Sequence, residues 1–181
     1  MNIDQNFLEK MVSKVGRDLE AESKLIKIMK IYYNERFLQY IIFKSLSLLL
    51  NNNYDVCTEL EGFDINICKE NCSKKNYVAL GEIKCWRSAD GERELLPNGI
   101  IKTDIDKLKN QNCPGFIIIL TINPRGQIEE NIKYLVEKLH ILDFDININD
   151  IKRHTFLVNK KREFSILGFW AKEPTPMIGS F

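Results

Sequence analysis

Glu82 and Lys84 stand two residues apart in the segment LGEIKCW. The stretch from Tyr77 to Trp86 reads as a strand, so both side chains project from one face of it. Asp64 lies in GFDINI, where Phe63, Ile65 and Ile67 alternate with Asp64, Asn66 and Cys68. The polar run Lys69 to Asn76 joins the two strands as a hairpin, so two carboxylates and an amine can meet on one patch of sheet. Strands rich in Ile, Val, Leu and Phe hold charges only beside a partner or a metal, because desolvating them alone is costly. Asp64, Glu82 and the backbone carbonyl of Ile83 make a hard oxygen set suited to Mg²⁺, with Mn²⁺ as a substitute. Such an ion polarises a phosphodiester and acidifies an attacking water. Lys84 would orient that water and offset charge building on the phosphate. The chemistry indicated is metal-assisted phosphodiester hydrolysis.

The elements that must position these groups follow from periodicity. Ile3, Phe7, Leu8, Met11, Val12 and Val15 recur at helical spacing, with Gly16 as a helix end and Asp18 as the cap of the next. A long helical stretch then runs to Leu50, broken near Asn34 and stopped by Asn51-Asn52-Asn53. Strands are expected over Tyr54–Leu60, Phe63–Cys68 and Tyr77–Trp86, with a turn at Glu61-Gly62. A loop covers Ser88 to Gly99. Ile101, Ile105 and Leu108 mark a helix that ends near Asn112, before Pro114. Phe116 to Ile122 is a continuous apolar run, as in a strand covered on both faces. Ile128, Ile132, Leu135, Val136 and Leu139 mark another helix. Thr155–Val158 and Phe164–Trp170 read as a terminal hairpin turned by Asn159 to Arg162. The fold class expected is α/β, with a mixed central sheet and flanking helices.

Asp64 in GFDINI, with Glu82 and Lys84 in LGEIKCW, resembles the PD-(D/E)xK nuclease superfamily. That resemblance implies a restriction-endonuclease-like core in αβββαβ order, matched by residues of about 35–123, and a Mg²⁺-dependent endonuclease activity. It also implies a glutamate on the first core helix, and Glu35 in NERFLQYIIFKSL fits, as a further metal or water ligand. Gln39 lies one turn along the same face. The chain departs from the family name at Phe63, where proline would stand. Glu22-Ser23-Lys24 and Asp150-Ile151-Lys152 also satisfy the acidic-x-Lys pattern. Only Glu82-Ile83-Lys84 has a strand, a partner acid on the preceding strand and a helix–strand unit after it. The plain alternative is a surface salt bridge between Glu82 and Lys84.

Other residues carry weaker signals. Glu35 would also suit a helix start, where the dipole favours an acid. Glu59 could sit beside the cluster at the end of the first strand, or stand there as an exposed strand-end charge. Lys102, Lys107 and Lys109 could track a phosphate backbone, although Asp104 and Asp106 among them make a mixed solvated face. Lys152 to Arg162 holds five basic residues, His154 and no acid. Its turn would present Lys160, Lys161 and Arg162 to nucleic acid as a phosphate grip. Trp86 and Trp170 suit base stacking or core packing. His140 and His154 lack a nucleophile at a recognisable spacing. No Cys-x-x-Cys pair occurs, and the five cysteines read as reduced thiols, buried or half-buried.

With 181 residues, one domain is expected over 1–181: an N-terminal helical extension at 1–33, the core at 35–123, and a helix with the terminal hairpin at 127–181. The apolar fraction of 44% is enough for a core and excludes wholesale disorder. The net charge of +1 excludes a globally basic binder, so any nucleic-acid contact depends on local clusters. No apolar run approaches bilayer length and MNIDQNFLEK is no signal peptide, which points to a cytoplasmic protein. The expected partner is nucleic acid, DNA by the resemblance, with RNA as the alternative substrate and a homodimer as a usual way of cutting both strands. The rival is a non-catalytic nucleic-acid-binding or protein-interaction module on the same fold.

Overall fold

In a computed structural model, residues 3–22, 35–50, 54–69, 76–87 and 98–175 are described, with backbone alone at 87 and 98–100. The expected helix over 23–34, the Asn51–Asn53 stop and the loops over 70–75 and 88–97 lie outside these residues.

Helix α1 (Phe7–Ala21) forms because Phe7, Leu8, Met11, Val12, Val15 and Leu19 fall on one face, and all six are buried. Each such side chain contributes roughly 2 kcal/mol of burial. The helix does not end at Gly16. It continues to Ala21, and Gly16 lies against the His154 ring, where a Cβ would stand 2.3 Å from Cγ and Cδ2. Asp18 is therefore no cap. It sits within α1 and accepts a hydrogen bond from Ser45 Oγ at 2.6 Å, tying α1 to helix α2 (Glu35–Leu50).

Strands β1 (Tyr54–Leu60), β2 (Phe63–Lys69) and β3 (Tyr77–Arg87) form an antiparallel meander. Glu61 and Gly62 link the first two with φ of 53° and 81°, the left-handed pair whose twist suits a two-residue hairpin. Helix α3 (Asn98–Lys109) crosses over to β4 (Gly115–Pro124), which runs parallel to β3. Helix α4 (Ile128–Ile141) and a short 3₁₀ turn (Ile148–Asp150) lead to β5 (Lys152–Leu157) and β6 (Arg162–Lys172). The sheet order is β1-β2-β3-β4-β6-β5. The protein is thus α/β, with an open six-stranded mixed sheet and, among the described residues, four α-helices.

The terminal hairpin belongs to this sheet: β6 pairs with β4 along its whole length. Strand β5 begins at Lys152, three residues before the expected start, so Lys152 and Arg153 are strand residues. Residues Gly115 to Asn123 of β4 are all buried, as a central strand covered on both faces requires. Helices α1 and α2 cover one face over Ile65, Ile67, Ile83, Phe116 and Ile118. Helices α3 and α4 cover the other over Leu80, Trp86, Ile117, Ile119 and Phe169. Phe63 joins this second cluster, not the one holding Ile65 and Ile67 that strict alternation implies.

A fork between two strands as the candidate active site

Strands β2 and β3 part company in the middle of β3. Their last rung is Ile65↔Gly81, whereas β3 stays paired with β4 as far as Arg87↔Ile122. Leu80 donates its amide to Pro114 of the loop before β4, so the amides of Gly81, Ile83 and Cys85 face the β2 side. Past the last rung, two carboxylates take up these amides. Ile83 N donates to Asp64 Oδ2 at 2.8 Å, and Cys85 N to Glu35 Oε1 at 3.3 Å. The Ile83 carbonyl lies on the same strand edge as its amide. Gln39 Nε2 donates to the Asp64 carbonyl at 3.0 Å. The first turn of α2 and the fork thus enclose a cavity of about 140 Å³ lined by Glu35, Arg36, Gln39, Glu59, Asp64 and Ile83.

The Ile65↔Gly81 register sets Asp64 opposite Glu82. Glu82 is buried, 3% exposed. Burial raises its pKa from the ordinary 4.5 to about 7; the Lys107 ammonium pulls against this, and the Asp64 carboxylate beside it adds to it. Lys84 projects from the same face and pairs with Asp104 Oδ2 at 3.0 Å. Burial disfavours its charge, but the hydrogen bond and charge of Asp104, backed by Asp64 and Glu82, hold its pKa above the usual value. Two residues apart on β3 thus match three apart on α3: Glu82 with Lys107, and Lys84 with Asp104.

The structure brings Asp64, Glu82, Lys84, Glu35, Gln39 and the Ile83 peptide to one fork. Among the described residues, no three His, Cys, Asp or Glu side chains are gathered as metal ligands. The hard donors are the Asp64–Glu82 pair with the Ile83 carbonyl. They fit a Mg²⁺ chemically, since two crowded carboxylates, one of them resisting ionisation, favour an added cation.

Of the candidate phosphate contacts, only Lys107 reaches the carboxylates. Lys102 turns to the Leu142 carbonyl at 3.3 Å and to Asp106, and Lys109 lies over the Phe144 ring. Lys160, Lys161 and Arg162 are exposed at the β5–β6 turn, next to the end of β4, where Arg125 N donates to the Lys161 carbonyl. Strand spacing puts that tip about 25 Å from Glu82, so it does not flank the fork. Trp86 is fully buried and stacked on Tyr134, so it is a core residue and presents no face for base stacking. Trp170 packs against Phe7 and Phe116. Cys68 and Cys113 are buried thiols, and Cys57 and Cys85 half-buried ones.

Glu59 is exposed at the end of β1, as a strand-end charge, and it also borders the cavity beside the cluster. It sits opposite Asp64 on β1 with φ of 54°, a conformation that no local residue pattern announces. Asp104 was read only as part of a mixed solvated face, although it is 9% exposed and holds Lys84. No family model, curated protein or solved structure matches the chain.

Proposed function

We propose that this chain is a divalent-metal-dependent nuclease with a restriction-endonuclease-like core, acting on DNA. The observation that carries the reading is the fork: Asp64 and Glu82 side by side, the Ile83 peptide between them and Lys84 on the same face. The order α2, β1, β2, β3, α3, β4 agrees with the αβββαβ core that the PD-(D/E)xK resemblance implies. Asp64, Glu82 and the Ile83 carbonyl would hold Mg²⁺, with Glu35 across the cavity as a further ligand. When bound, the ion would polarise the scissile phosphate and supply an acidified water. Lys84 would orient that water and counter charge on the phosphate, with Asp104 fixing the direction of its ammonium. Gln39 would brace the Asp64 backbone. Lys160, Lys161 and Arg162 would grip phosphates away from the cut, and a homodimer would let two forks act on opposite strands.

A non-catalytic binding module on the same fold is the second reading. What favours it is that Glu82 and Lys84 each already have a partner on α3, as structural ion pairs do.

Cleavage of supercoiled plasmid, single-stranded DNA and RNA, with Mg²⁺, Mn²⁺ or EDTA, separates the two. Metal-dependent cutting that disappears in Glu82→Ala and Lys84→Ala supports the nuclease and identifies its substrate. Cutting that persists in both variants rejects this site. Binding without cutting by the wild type, in a gel shift on the same nucleic acids, favours the module.

A further inference from the structure

Lys107 is tied down from three directions. Its Nζ donates to Glu82 Oε1 and to the carbonyl of Gly62, and it stands 4.2 Å from the centroid of the Phe63 ring. The Glu82 side chain is 4% exposed and that of Lys107 30%. A buried carboxylate beside a second carboxylate needs a positive charge near it. Lys107 supplies that charge from α3, on the side of the fork away from α2. The Gly62 carbonyl and the Phe63 ring give the ammonium a seat of its own, next to Glu82 but not part of the metal donor set.

Building on the nuclease reading, we infer that Lys107 is the resident counter-ion of Glu82, which a divalent cation must displace from Oε1 before it can bind. Glu82 Oε1 cannot serve the ammonium and a Mg²⁺ at full strength together. The pairing therefore sets the metal affinity of the fork and keeps the metal-free fold from holding two bare carboxylates. Once displaced, the ammonium still has the Gly62 carbonyl and the Phe63 ring, so the helix need not move. This role differs from that of Lys84, whose ammonium is paired with Asp104 rather than with Glu82.

The test is metal binding rather than cleavage. Mn²⁺ titration followed by electron paramagnetic resonance would compare the wild type with Lys107→Met and Lys107→Arg. Lys107→Met should bind Mn²⁺ about tenfold more tightly, because the competing charged hydrogen bond is gone. Lys107→Arg, which keeps the charge, should bind no more tightly than the wild type. Equal or weaker binding by Lys107→Met overturns the counter-ion role while leaving the nuclease reading intact. Absence of Mn²⁺ binding to all three proteins overturns both. A second measurement needs no variant fold: the lysine ammonium resonances of the wild type, with Lys107→Arg used only to assign the Lys107 signal. Saturating Mg²⁺ should shift or broaden the Lys107 signal and spare most others, whereas an unchanged Lys107 signal overturns the inference.

Discussion

Asp64 holds the amide of Ile83 through Oδ2 at 2.8 Å, in the place where the β2 backbone would otherwise continue the ladder. One side chain thereby ends the pairing of two strands and is aimed at the carboxylate opposite. On the nuclease reading, structure and chemistry would meet on the same carboxylate, and substitution can separate them.

An asparagine can accept the Ile83 amide through its side-chain oxygen but carries no charge. Asp64→Asn should leave unfolding free energy within about 0.5 kcal/mol of the wild type, while Asp64→Ala should lose about 1–2 kcal/mol with the hydrogen bond. Both should abolish metal-dependent cleavage. Urea unfolding and plasmid cleavage on the same preparations check the pair, and residual cutting by Asp64→Asn would remove Asp64 from the metal set.

Glu82 makes the metal-free protein sensitive to pH. Its carboxyl ionises near 4.5 in the unfolded chain and near 7 in the fold. The folded state therefore holds a proton that the unfolded state has lost between those values. The stabilisation is complete below 4.5 and is lost as pH rises through 7, to the extent of roughly 3 kcal/mol. Denaturant unfolding in EDTA from pH 4 to 8 should show the decline. Glu82→Gln should flatten it, and Mg²⁺ should reduce it by stabilising the ionised form.

On the nuclease reading, Asp104 would act on the reaction through Lys84, with which it is paired. Asp104→Asn should lower kcat by about tenfold with little change in KM, as loss of an orienting partner does. It should also move the alkaline limb of the pH–rate profile to lower pH, since burial would then pull the Lys84 pKa down with less opposition. A profile that keeps its limb would make Asp104 a purely structural partner.

Gly16→Ala should destabilise the fold despite alanine's better helix propensity. The new Cβ would meet the His154 ring at 2.3 Å, and overpacking of that kind costs about 1–3 kcal/mol. His154→Ala should restore most of the loss when combined with Gly16→Ala. Additive losses in that double-mutant cycle would deny the contact.

What could be read from the chain divides by the distance over which information travels. Period-two alternation across a hairpin was enough to set Asp64 facing the Glu82 and Lys84 pair, because the neighbours are close in sequence. The unbroken run Phe116 to Leu120 announced a doubly covered strand. Gly16 was misread because its constraint is the His154 ring, far along the chain. Strand β5 starts at Lys152 rather than at the expected Thr155 because an edge strand with one wet face tolerates Lys152 and Arg153. Lys107 and Asp104 could be ranked against their neighbours only after α3 had docked, since the rotation of a helix about its axis over the sheet is a tertiary quantity. Glu59 is the exposed strand-end charge that its position implies, and docking of α2 over the fork makes it a border of the cavity as well.

The pairing of β6 with β4 has a consequence for synthesis. On a ribosome, β4 emerges well before the strand that closes its outer edge. Until Arg162–Lys172 is made, the apolar face of Phe116 to Leu120 carries an open row of peptide groups, the kind of edge that recruits other chains. Nascent chains that end before β6 should therefore aggregate more readily than full-length ones, in proportion to how long β4 waits for its neighbour.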